Sequence, residues 1–252
     1  MNQRPANTEG MTCLEVSSQA PETVSAFMAF YNEVFVLSFE ADECESLENF
    51  LNYIEKYSSN SLFVRILLFR NEKDIVACAV FDYFDEIKSL AFEFIVVRKE
   101  YKNQGIATKV VNFTKDLVEK KYKKSIDWMF IEMENPKCML DKSRSCLPFW
   151  KRHNMKAVDF KYIQPALSPD KNQIETMILC VKNFSFDAAA ISAEIVKKFI
   201  TLYARHAMQI EKPYDCPPVG KMMKQLDGTA SGTVALIDLD RYNEIQAEDL
   251  KK

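Results

Sequence analysis

The sequence predicts an α/β protein of the α+β type: a mixed, mostly antiparallel sheet flanked by helices. Three observations carry this. Three β-rich runs, 62–70, 75–84 and 89–97, follow one another through short polar connectors (NEKD and DEIK), as antiparallel hairpins require. Stripes of helical period lie on both sides of them in the chain. Between Met11 and Val219 the chain holds one glycine, Gly105, set between the apolar run ending at Val97 and a helix-like run starting near Ile106.

The elements follow in order. Residues 13–18 read as a short strand. Pro21 to Phe39 reads as a helix with Val24, Phe27, Met28, Tyr31, Val34 and Phe35 on one stripe, and Ser46 to Tyr57 as a second with Phe50, Leu51 and Ile54. After the three strands, a helix from about Gln104 to Lys120 buries Ile106, Val110, Phe113 and Leu117. A strand at 127–133, a short helix near Ser145–His153 and strands at 155–163 and 175–182 come next. Residues 188–209 form an amphipathic helix with Ile191, Ile195, Phe199, Leu202 and Tyr203. The last forty residues read as irregular apart from an apolar run at 233–238. The order is β-α-α-β-β-β-α-β-α-β-β, and its single parallel crossover runs through the helix after Gly105. The expected organisation is a domain over 1–185 and a C-terminal extension over 186–252, a helix plus an irregular tail. Three roles stay open for that helix: packing on the sheet, shaping an acceptor site, or joining two protomers in a homodimer.

Composition narrows the function. The chain has 252 residues, enough for a full core, and a net charge of -3, which argues against general nucleic-acid binding. No apolar run approaches the ~20 residues that span a bilayer, so no membrane partner is expected. The start, MNQRPANTEG, lacks the apolar stretch of a secretory signal, and the expected address is the cytosol. Seven cysteines are scattered without a CxxC pair and there are two histidines, so no metal site is expected.

The chemistry centres on Gly105. A helix N-terminus presents unpaired N–H groups and about half a positive charge, which a pyrophosphate satisfies. Gly105 and Ala107 keep bulk away from those amides, and Lys102 and Lys109 can add charge for a ribose phosphate. The bland alternative is a strand-to-helix turn that uses glycine for packing. The stretch Phe94–Ala107 and the element order resemble the GNAT superfamily of acyl-CoA N-acyltransferases. Its loop pattern is Arg or Gln, two residues, Gly, one residue, then Gly or Ala. Gly105 and Ala107 fit, while Lys102 departs from the first place. The resemblance covers about residues 12–183 and is strongest over 90–120.

The resemblance implies acetyl-CoA as acyl donor, used as a substrate, and an amine acceptor, either a small molecule or a protein amine. It implies donor contacts at Ile95, Val96, Val97, Lys102, Asn103, Gln104, Gly105, Ile106, Ala107, Thr108, Asn135, Phe149 and Arg152. The amides near Ile95 and Val96 would hold the thioester oxygen. An amine arrives protonated (pKa about 10.4), so a base is needed. Glu93, the one acid in SLAFEFIVV, is the first candidate, placed by strand alternation on the face opposite Phe92 and Phe94. A solvent-facing strand carboxylate is the competing reading. Glu132 and Glu134 are rivals. Trp150 stands where family members carry a tyrosine as general acid, and Asn154 stands at a glycine place. Tyr162 is the substitute acid, followed by Tyr83 and Tyr101. The segment 40–48 (EADECESLE) holds five acids, which suits a cationic acceptor or simply a solvated helix start. The alternative function is a degenerate GNAT-fold module that binds acyl-CoA or a partner without turnover.

Overall fold

The computed structural model describes residues 10–57, 62–136, 138 and 146–240. The chain divides into two compact units, Met1–Ile126 and Asp127–Lys252. The fold class is the expected one, a mixed, mostly antiparallel sheet with flanking helices.

In the first unit, β1 (Thr12–Glu15), β2 (Arg65–Arg70), β3 (Ile75–Phe84) and β4 (Ser89–Val97) pair antiparallel in that order. One face of this sheet carries Ile66, Leu68, Cys78, Val80 and Val96 against α1 (Pro21–Phe30) and α2 (Leu47–Lys56). The interface is aromatic. Phe27 meets Phe50 edge-on at 5.4 Å, and Phe94 of β4 lies 5.1 Å from both Phe35 and Phe39. The helix beginning at Pro21 continues past α1 through a π-helical turn, Tyr31–Phe35, and a 3-10 turn, Val36–Ser38, close to the predicted end.

On the other face, α3 (Ile106–Asp116) sets Phe113 edge-on to Phe69 at 5.4 Å and buries Val110, Val111 and Thr114. Glu15 draws this side together by accepting from Arg65 and Tyr122, and from Lys121 at 2.6 Å.

Ser46 caps α2, its hydroxyl accepting from the Asn49 N–H at 3.1 Å. Ser46→Ala is expected to lower the unfolding free energy by about 1 kcal/mol in denaturant titration, with an unchanged m-value.

In the second unit, β5 (Trp128–Glu134), β7 (Met177–Asn183), β6 (Lys156–Val158), β9 (Thr233–Asp238) and β8 (Ala190–Ser192) pair antiparallel in that spatial order. The helices are α4 (Leu147–Arg152), α5 (Ala193–His206) and α6 (Pro217–Asp227). Phe199 of α5 stacks on Phe130 of β5 at 4.0 Å.

Three expectations are corrected here. The strand at 155–163 stops at Val158, because the backbone of Lys161 bonds both ends of the Gln225 amide (3.0 Å each) instead of a neighbouring strand. The helix at 188–209 begins at Ala193, since residues 190–192 pair with β9. In the tail, read as irregular apart from the apolar run at 233–238, Pro217–Asp227 form α6, and the apolar run is β9, which bridges β6 and β8. The predicted start of the short helix at Ser145 lies outside the described residues.

Candidate active site

The loop leading into α3 is built by short-range bonds. A 3-10 turn, Lys99–Tyr101, follows β4. The Tyr101 hydroxyl donates to Asp74 at 2.8 Å, and the Gln104 amide turns back to the Glu100 carbonyl at 3.0 Å. Lys102, Asn103, Gln104 and Gly105 are exposed, and Ile106 turns inward as the first buried residue of α3. Asn103 has φ 62°, and Gly105, the N-cap of α3, has φ 76° and ψ 4°. The two left-handed residues bend the chain sharply on its way into α3. A Cβ built on Gly105 would meet nothing within 4 Å. The glycine is therefore not required by packing. It meets a backbone requirement and leaves open space in front of the helix N-terminus.

Glu93 is the next feature. The β3–β4 register shifts at Val80/Phe81: Val80 faces Phe94, Phe81 faces Phe92, and Glu93 is the extra residue of a β-bulge. The bulge corrects the alternation argument. Phe94 packs on the α1/α2 face, and the Glu93 side chain, hydrogen-bonded to Asp82, lies on that face with it. Asp82 is fully buried on β3. Burial pushes its carboxyl up to about 6, partly offset by the Val64 N–H, which donates to Oδ1 at 2.8 Å, and by the bond to Glu93.

The acidic segment also differs from its reading as a solvated helix start. Glu45 is buried and its carboxylate accepts from the Ser46 N–H (2.7 Å), the Asn49 amide (2.7 Å) and the Tyr53 hydroxyl (3.2 Å).

In the second unit, Glu132 is held by two phenols. Tyr162 donates to one carboxyl oxygen and Tyr203, on α5, to the other at 2.9 Å. Burial raises the Glu132 pKa to about 7 against the pull of both hydroxyls. The same burial, together with Glu132, drives Tyr162 well above the ordinary phenol range, so its proton stays on the oxygen and points at the carboxylate. Sequence reasoning named Glu132 and Tyr162 separately and missed Tyr203, whose place on a helical stripe reads as ordinary core.

Glu134 ends β5, half-buried and opposite Met177. Asn135 follows it, buried, its N–H on the Thr176 carbonyl at 2.8 Å. Phe149 lies 4.6 Å from the rings of both Trp150 and His153, Trp150 is buried, and Arg152 is exposed. Asn154 takes the left-handed conformation expected at its glycine place, with φ 55°. The reserve acids are occupied: Tyr83 donates to the Ser125 carbonyl at 2.7 Å and Tyr101 to Asp74.

Two expected results follow for Glu132. Tyr203→Phe removes one donor to the carboxylate, so the Glu132 midpoint, read by carboxyl-carbon NMR, should rise above its wild-type value. A fixed midpoint would dismiss the bond. The folded pKa exceeds the unfolded value of 4.5, so the native state holds a proton that the unfolded chain has lost. This group's contribution to stability therefore falls as pH rises from about 4.5 to about 7 and stays low above that. In Glu132→Gln that decline should vanish from the stability–pH curve.

Comparison with known proteins gives one family model: residues 25–139 match the acetyltransferase (GNAT) family. No curated protein matches. Among solved structures, a GNAT-family acetyltransferase from Bacteroides thetaiotaomicron superposes with a TM-score of 0.58 at 16% identity, covering 79% of this chain and 99% of its own. The ribosomal-protein-S18-alanine N-acetyltransferase of Escherichia coli gives 0.47 at 12% identity, covering 71% and 96%. A GNAT-family acetyltransferase from Elizabethkingia anophelis, solved with acetyl-CoA bound, gives 0.44 at 14% identity, covering 70% and 100%.

Proposed function

We propose, from the premise that residues 25–139 form a domain of the GNAT acetyltransferase family, that this chain transfers an acetyl group from acetyl-CoA to a primary amine. The observation that carries the reading is the left-handed Gly105 cap with open space before the N-terminus of α3. The amides of Gly105 to Thr108 would take the pyrophosphate of acetyl-CoA, with Lys102 adding a charge. The backbone of β4 would pair with the pantetheine arm, and the Ile95 and Val96 amides would stabilise the oxyanion. The neutral amine nitrogen attacks the thioester carbonyl carbon after its proton passes to Glu93. The C–S bond then breaks, CoA leaves as a thiolate, and the second proton of the nitrogen passes to that sulfur or to solvent as the neutral amide forms. A thiol pKa near 8.5 makes that departure workable without a dedicated acid. The acids of 40–48 favour a cationic acceptor.

Burial of Trp150 where relatives of this family use tyrosine supports a second reading, a module that binds acyl-CoA without turnover. Thiol release from acetyl-CoA against a panel of amines tests both. Turnover on at least one amine supports the transferase. Saturable CoA binding with no turnover selects the module, and absence of CoA binding ends both readings.

A further inference from the structure

We propose that Asp82 and Glu93 act as one proton-sharing pair, in which buried Asp82 positions Glu93 and lets it accept the acceptor's proton near neutral pH. This rests on the transferase reading for its use in catalysis, while the pair itself rests on geometry.

Glu93 reaches Asp82 because it is the extra residue of the β4 bulge; regular alternation would turn it to the opposite face. Asp82 is 0% exposed, whereas Glu93 is partly buried with its Oε1 closed off from solvent, so the first carboxyl is sealed in and the second is enclosed on one side. The two oxygens of Asp82 are treated differently. Oδ1 accepts the Val64 N–H at 2.8 Å. Oδ2 is fully buried with no N–H or O–H donor on it among the described residues, and the Glu93 side chain is the other group against this carboxyl. Two ionised carboxylates are both acceptors and repel, so a bond between them requires a proton in the pair.

The surroundings keep the pair in that register. Val64, a β-branched residue, is held at φ 47°, a conformation that costs of order 1–3 kcal/mol and persists where the structure around it over-determines it. The strained N–H is the one aimed at Asp82. The titratable groups facing the pair are Tyr53 on α2, which feels the charge of Glu93, and Glu45 just before α2, whose carboxylate accepts from Tyr53. Neither brings a positive charge to the pair.

The proton balance is simple. The pair enters the reaction as a dianion, an N–H bond of the acceptor ammonium breaks, and an O–H bond forms on Glu93. That proton is then held between Glu93 and Asp82. It leaves to solvent through Glu93 after CoA has departed. A carboxylate of ordinary pKa is a poor base at neutral pH, and sharing the proton with a second carboxyl is what improves it.

The test is a carboxyl-carbon NMR titration of the full chain labelled at Asp and Glu, in wild type, Asp82→Asn and Glu93→Gln. In wild type, the Asp82 and Glu93 carbons should respond to the same two steps, the upper one near neutrality. Asn keeps an oxygen for Val64, so Asp82→Asn should leave Glu93 with a single step and remove the upper one. Glu93→Gln, at a partly exposed position, should remove the two-step behaviour from Asp82 and serves if Asp82→Asn does not fold. Independent single steps for the two carbons in wild type would overturn the pair. A second readout is thiol release with acetyl-CoA and any amine turned over: the acid limb of kcat/KM should coincide with the upper step. A coupled pair in a protein without turnover would uphold the pair and remove the transferase reading. Turnover with uncoupled carboxyls would do the reverse.

Discussion

Gly105→Glu is expected to weaken acetyl-CoA binding by at least ~100-fold in calorimetry while the protein stays folded. Hydrogen bonds to a charged group are worth about 1.5–3 kcal/mol each, and tenfold in affinity is about 1.4 kcal/mol, so losing two amide–phosphate bonds reaches that size. The new carboxylate adds repulsion at the place where the helix N-terminus favours an anion. Glutamate at φ 76° also costs about 1–2 kcal/mol of stability, and that cost must be separated from lost binding. Gly105→Asn separates them, because asparagine tolerates the left-handed conformation yet places a side chain in the same open space. No protein atom lies within 4 Å of the added Cβ, so the protein itself offers no clash. Gly105→Asn should keep near-native stability and still lose most affinity. If both variants bind acetyl-CoA within threefold of wild type, the loop does not hold the donor.

Some of this was written plainly in the sequence, and some could not be. The bounds of β3 and β4 follow from uninterrupted β-branched and aromatic runs cut by polar connectors, which are strong local signals. Gly105 was legible because its rarity in the chain coincided with a strand-to-helix junction. The bulge at Glu93 was not, since no glycine or proline marks it and the shift is defined only by what β3 places opposite. A period-2 argument fails by one residue there, and the face of a carboxylate is reversed. Glu45 misled for a related reason. Five acids in nine residues look solvated, yet one of them turns inward to Tyr53 and Asn49. Tyr203 carries no local sign that its hydroxyl meets a carboxylate on β5, because that meeting is a long-range contact. The three-residue strand β8 is likewise too short for periodicity to register, and its pairing with β9 fixes it.

Glu93→Gln is expected to lower kcat by about 10²–10³ with little change in the KM for acetyl-CoA, the size that loss of a positioned base produces. A structural role for Glu93 could also lower the rate, so the decisive reading is how the deficit depends on pH. If Glu93 takes the proton from the acceptor, its work disappears once solvent has already deprotonated the amine. The gap between wild type and Glu93→Gln should then narrow steadily as pH climbs toward the amine pKa of about 10.4. A deficit that is flat from pH 7 to 10 would mean the side chain shapes the site without moving a proton. Glu132→Gln supplies the comparison, since burial has also lifted that carboxyl, to about 7, into the range of a useful base. Glu132 already accepts from Tyr162 and Tyr203, so taking up a proton there must weaken two existing bonds. Glu93 protonates toward Asp82, where a proton creates a bond that two carboxylates cannot make. That asymmetry is why the pH-dependent deficit is expected in Glu93→Gln, with Glu132→Gln changing stability more than rate. The opposite pattern would move the base to β5.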